Sequence, residues 1–143
     1  MELKELYREI VNEHNLHPDH RGMLPRASCT RDGVNPSCGD DIKLSLVFDD
    51  NGILTDGAFD GSGCAISQAA TDMMLELVIG KSREEALELA DAFMDMIRGS
   101  ATEEQLEMLE ESAALEGIAH MPARVKCATL AWRTLKEMLT EKE

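Results

Sequence analysis

Ile42, Leu44, Leu46 and Phe48 alternate with Lys43, Ser45 and Asp49, the period-2 signature of a strand with one buried face. Asp49, Asp50, Asn51 and Gly52 form a turn, and residues 53–59 read as the returning strand. Directly behind this hairpin, residues 64–79 change to a helical period, with Ala65, Ile66, Ala69, Met73, Met74, Leu77 and Val78 on one stripe and Gly80 as a natural stop. An antiparallel return leaves both ends of the hairpin on the same side of the sheet. The stretch before residue 42 is thereby brought back beside the start of that helix.

More helices flank this unit. Leu3, Leu6, Tyr7, Ile10 and Val11 predict an amphipathic helix over residues 3–13. Residues 22–33, with Gly22, Pro25, Ser28 and Gly33, read as a loop that carries Cys29, either a free small side chain or, if it reaches within disulfide distance of another sulfur, a resolving thiol. Ser82 and Glu85 have the S-x-x-E form of a capping box opening a helix through Ile97, and Thr102 and Gln105 repeat it as T-x-x-Q. Glu103, Glu104, Glu107, Glu110, Glu111 and Glu116 then crowd residues 99–119 without a Lys or Arg, around Leu106, Leu109 and Leu115. A solvated amphipathic helix explains this segment, and an acidic docking face for a basic partner is the alternative. Past Pro122 a last helix takes its apolar face from Val125, Leu130, Ala131, Leu135, Met138 and Leu139.

The 143 residues, 43% of them hydrophobic, suit one compact domain that buries roughly 68 to 70% of its unfolded surface. Such a core folds without a staple, so a metal here would serve function rather than hold the chain together. A formal charge of -14 argues against nucleic acid as a partner. The start of the chain shows no signal-peptide pattern, and no run of about 18 apolar residues occurs, so we expect a cytoplasmic protein without membrane attachment. In that reducing setting the four cysteines read as ligands or reactive thiols before disulfides.

Three short stretches carry the chemistry. Cys38 and Asp40 sit two apart on a turn that Pro36 stiffens and Gly39 gives room, and offer a sulfur and an oxygen ligand. Cys64, after Gly61 and Gly63, opens a helix, where free N–H groups and the helix dipole favour a thiolate. Cys127 lies near the start of the last helix. Three thiolates and one carboxylate make a tetrahedral set suited to zinc or to the irons of a small cluster. The ligands are separated by 26 and 63 positions, unlike the close pairs of a zinc finger, and require a preformed fold. A single oxygen among sulfurs marks a site from which something is exchanged, and Cys38 is the thiol best placed to leave the metal and carry sulfur as a persulfide. Separate small buried cysteines remain the plain alternative. His14, His17 and His20, three apart around Pro18, invite a second metal reading, although Pro18 interrupts any helix that would align them.

Asn35-Pro36-Ser37-Cys38-Gly39-Asp40, Gly63-Cys64-Ala65-Ile66-Ser67 and Cys127-Ala128-Thr129-Leu130-Ala131-Trp132, in this order, resemble the U-type iron-sulfur cluster assembly proteins, the IscU/NifU N-terminal family. Leu6-Tyr7-Arg8-Glu9-Ile10 and His20-Arg21-Gly22 look similar as well, so the likeness spans nearly the whole chain. The resemblance implies an α+β fold, a small antiparallel β-sheet packed against several α-helices, as a single IscU/SufU-like domain over residues 1–143 with an acidic helical insertion at about 99–119. It also implies that Cys38, Asp40, Cys64 and Cys127 are the metal ligands and that Cys38 carries the persulfide. Lys126 stands where the scaffold branch has a His, and Met121-Pro122-Ala123-Arg124-Val125-Lys126 departs from the segment that chaperones recognise. These departures, with the acidic insertion, bring the chain nearest to the SufU branch.

That branch implies tightly held zinc and a sulfur acceptor, a sulfurtransferase that works together with a SufS-type cysteine desulfurase and hands sulfur to downstream iron-sulfur assembly proteins. Two other readings stay open. One is a scaffold that assembles a transient [2Fe-2S] cluster from iron and sulfide on the same four ligands. The other is a non-catalytic zinc-stabilised interaction module. Arg124 and Lys126 either neutralise an anionic site, meet the partner, or are solvated charges at a helix start.

Overall fold

Side-chain parity on the middle strand decides which way the site faces. The computed structural model describes residues 3–22, 24, 27–35 and 39–140, with side chains from Arg8 onward. Strand β2 (Asp40–Phe48) pairs antiparallel with β1 (Cys29–Asn35) on one side and with β3 (Leu54–Ser62) on the other, in the order β1-β2-β3. Ile42, Leu44 and Leu46 are buried, and Asp40 shares their parity, so its carboxylate points toward the helices instead of solvent. The turn at Asp49 forms as its residue types demand: Asp49 Oδ1 accepts from Asn51 N and Ile53 N, and Gly52 takes φ 78°.

Helix α1 (Leu3–Leu16) packs on α2 (Ala65–Val78), which lies against β3. Helix α3 (Arg83–Ile97) packs on α5 (Pro122–Thr140), and α5 crosses β1 and β2. Phe93 of α3 stacks on Trp132 of α5 with centroids 5.2 Å apart, at the centre of the core. Both capping boxes form: Ser82 opens α3 with Glu85, and Thr102 opens α4 (Glu103–Met108) with Gln105. The expected α+β arrangement of a small antiparallel sheet and helices is what the chain adopts. No helix among the described residues is long and apolar enough to cross a membrane.

Two expectations are corrected. Residues 29–33, expected as the end of a loop, belong instead to the edge strand β1. Its inward positions are Cys29, Arg31, Gly33 and Asn35, while Val34 faces out at 57% exposure, so no apolar alternation announces it. Gly33 is needed because α5 comes so close: a Cβ there would overlap Thr134 Oγ1 and lie 3.3 Å from Thr134 Cβ. The acidic segment is not one amphipathic helix either. It is the six-residue α4 followed by a run of 3-10 turns over Glu110–His120, entered through Glu110 at φ 49°. Leu109, Leu115 and Ile118 are fully buried and fasten this run to the core, whereas its glutamates are exposed.

Candidate metal centre

The open end of the hairpin, the start of α2 and the second turn of α5 meet at one point. Asp40 is the first residue of β2 and pairs with Asn35, the last of β1. Cys64 is the N-cap of α2, its sulfur accepting from Ser67 N at 3.4 Å, so the thiol sits at the positive end of the helix as expected. Cys127 is fully buried on α5. Ligand atoms of Asp40, Cys64 and Cys127 all lie within 4.8 Å of one another. The structure therefore brings together three of the four predicted ligands from three separate elements. Cys38, with Pro36 and Ser37, lies outside the described residues.

Hydrogen bonds aim the carboxylate. Asp40 Oδ1 accepts from Cys64 N at 2.9 Å and from Ser67 Oγ at 3.1 Å, and Oδ2 accepts from Asn35 Nδ2 at 3.3 Å. Asn35 Nδ2 also lies 3.9 Å from Cys127 Sγ. Among the described residues the carboxylate meets neutral donors alone, so a cation shared with two thiolates would give it a charged partner. Gly61 and Gly63 give the approach its room. At Gly61, φ is 111° and a Cβ would run into Asp41 O, and at Gly63 a Cβ would lie 2.9 Å from Asp40 Oδ1.

Asn35 and Ser67 were present in the quoted motifs without a role, and they turn out to be the groups that orient the carboxylate. The one signal for Ser67 was its position three residues after an N-cap. Arg124 and Lys126 are exposed on the first turns of α5. Cys29 is half-buried on β1 opposite Leu46. The three histidines do not act as a group: His14 is buried on α1 against Asp72, while His20 contributes only its backbone N–H to Asp72, at 2.9 Å.

The donor set fits zinc. Tetrahedral zinc with Zn–S bonds of about 2.3 Å places its ligand atoms roughly 3.8 Å apart, compatible with the 4.8 Å limit within which these three already lie. Fold and site together define a small α+β protein that gathers sulfur and carboxylate donors at the end of a hairpin. The chain matches the NifU-like N terminal domain over residues 6–128 and belongs to that family. It is 46% identical over 137 residues to the iron-sulfur cluster assembly scaffold protein IscU of Streptococcus pyogenes, covering 96% of this chain and 84% of that one. It is 38% identical over 141 residues to the zinc-dependent sulfurtransferase SufU of Bacillus subtilis, covering 99% and 94%. The crystal structure of SufU from Fervidobacterium islandicum superimposes with a TM-score of 0.84 at 34% identity, covering 95% and 98%.

Proposed function

We propose that this protein works in iron-sulfur cluster assembly as a sulfur acceptor, taking persulfide sulfur from a SufS-type cysteine desulfurase onto Cys38 at a zinc site made with Asp40, Cys64 and Cys127. The observation that carries the reading is the convergence of Asp40, Cys64 and Cys127, with Cys38 two positions before Asp40 in sequence. Membership of a family that includes a zinc-dependent sulfurtransferase supports it. Zinc supplies Lewis acidity that keeps the thiols deprotonated at neutral pH.

The transfer is a thiol–persulfide exchange. The Cys38 thiolate attacks the outer sulfur of the desulfurase persulfide, the S–S bond of that persulfide breaks, and the desulfurase cysteine leaves as a thiolate. One S–S bond forms as one breaks, so no oxidant is required. Asp40 is held in place by Asn35, Ser67 and Cys64 N throughout. Arg124 and Lys126, exposed beside Cys127 in sequence, offer positive charge to the anionic centre or to the incoming partner.

The relative from Streptococcus pyogenes keeps a scaffold reading alongside, in which the same ligands hold a transient [2Fe-2S] cluster. Elemental analysis of the purified protein followed by intact mass after incubation with desulfurase and cysteine separates the readings. Sulfur transfer requires at least about one zinc per chain and a mass gain of one sulfur atom that Cys38→Ala abolishes. Iron with acid-labile sulfide, and no persulfide, would instead establish the scaffold. Zinc without any sulfur gain would leave a passive zinc module and overturn the proposal.

A further inference from the structure

A second group of ligand atoms lies away from the thiols, where three helical segments meet. His14 of α1 is buried, with its side chain 9% exposed. Its Nδ1 meets Asp72 Oδ2 at 2.6 Å, and Asp72 on α2 is completely buried. The other ring nitrogen, Nε2, faces Glu111 Oε1 of the 3-10 run in hydrogen-bond contact and Glu76 Oε2 of α2 at 3.7 Å. One ligand atom from each of His14, Glu76 and Glu111 lies within 4.8 Å of the others.

Charge makes this arrangement incomplete on its own. Asp72, Glu76 and Glu111 converge on one imidazole in a chain of net charge -14. A neutral ring donating to Asp72 through Nδ1 would turn a bare lone pair on Nε2 toward two carboxylates. Something positive must therefore sit at Nε2: a proton or a metal ion. On its Nδ1 side the ring has the partner found behind metal-bound histidines, a buried carboxylate that sets tautomer and orientation. Glu76 and Glu111 are about half exposed, at 55% and 49%, so an ion has a path to the site from solvent.

We propose that His14 Nε2, Glu76 and Glu111 form a second, exchangeable divalent-cation site, taking zinc or a similar borderline ion through one nitrogen and two carboxylates, with Asp72 as the positioning residue behind the histidine. The ion displaces the Nε2 proton and ties the acidic segment to α1 and α2. One nitrogen and two carboxylates are a suitable three-ligand set for zinc with a water in the fourth position. Because ion and proton compete for Nε2, occupancy rises with pH. The charged groups facing the ring are Asp72 and Glu76 from α2 and Glu111 from the 3-10 run.

The test counts metal on the full chain. Wild type and E76Q/E111Q are dialysed against zinc at about pH 7.5 and about pH 5.5, and zinc per chain is measured by elemental analysis, with circular dichroism to verify that both fold alike. Wild type should hold one more zinc than E76Q/E111Q at the higher pH and lose the excess at the lower. Cobalt in the extra site should add ligand-field absorption without sulfur-to-cobalt charge transfer. The double variant retains the thiols, so its own zinc count reports on the first site independently. Equal zinc in both proteins at the higher pH, or a His14 ring that stays doubly protonated by NMR in the presence of zinc, would overturn the second site.

Discussion

Replacing Gly33 by Ala probes the contact that sets β1 against α5 and, two residues on, Asn35 at the site. An added Cβ would overlap Thr134 Oγ1, with Thr134 Cβ at 3.3 Å and Leu130 Cδ1 at 3.4 Å. Thr134 has little freedom to turn away, since it is buried, β-branched and bonded through Oγ1 to Leu130 O at 2.8 Å. Overpacking of this kind costs about 1–3 kcal/mol, against about 0.5–1 kcal/mol regained from restricting a strand glycine. We expect a net loss of about 1–2 kcal/mol, a fall in Tm of roughly 3–8 °C. Thr134→Ala removes the offending oxygen and leaves no buried partner unmet, because Leu130 O keeps its place in the helix ladder. In that background Gly33→Ala should become neutral or stabilising by about 0.5 kcal/mol. Urea unfolding of the four proteins measures the cycle. An equal cost of Gly33→Ala with and without the Thr134 hydroxyl would refute the packing of β1 on α5.

Two further outcomes follow from single groups. Ser82→Ala removes the Oγ that accepts from Glu85 N at 3.1 Å and should lower stability by about 1 kcal/mol in urea unfolding, with the metal content unchanged. In chelator-treated protein, burial pushes the His14 pKa down, but hydrogen bonds to Asp72 and Glu111 outweigh it and hold the ring above its ordinary 6.5. Its stabilisation is then complete below that value and is lost as pH rises through the higher folded pKa. An NMR titration of His14 should give a midpoint above 6.5 in wild type that falls in Glu111→Gln.

Elements whose own residues carry the pattern could be read directly. The β2–β3 hairpin, α2, the two capping boxes and the helix that begins at Pro122 depend on neighbours within one or two turns, and they form where expected. The strand β1 could not be read. Gly33 and Asn35 face inward there because of a helix roughly a hundred positions later, and that helix is invisible to local periodicity. The 3-10 run was equally hidden, since the acidic residues look the same on any helix, and only burial of Leu109, Leu115 and Ile118 sets its path.

The candidate site divides in the same way. Residue types and motif order named Cys38, Asp40, Cys64 and Cys127 and the family to which the chain belongs. Tertiary structure alone decided that the ligand atoms of Asp40, Cys64 and Cys127 converge, that Asn35 and Ser67 aim the carboxylate, and that His14 faces Asp72, Glu76 and Glu111 while His20 reaches that group through its backbone N–H to Asp72. The physical reason is reach. Alternation, helical period and capping are short-range properties written into adjacent residues, whereas a ligand set depends on which elements pack together, and that is decided by the burial of the whole core.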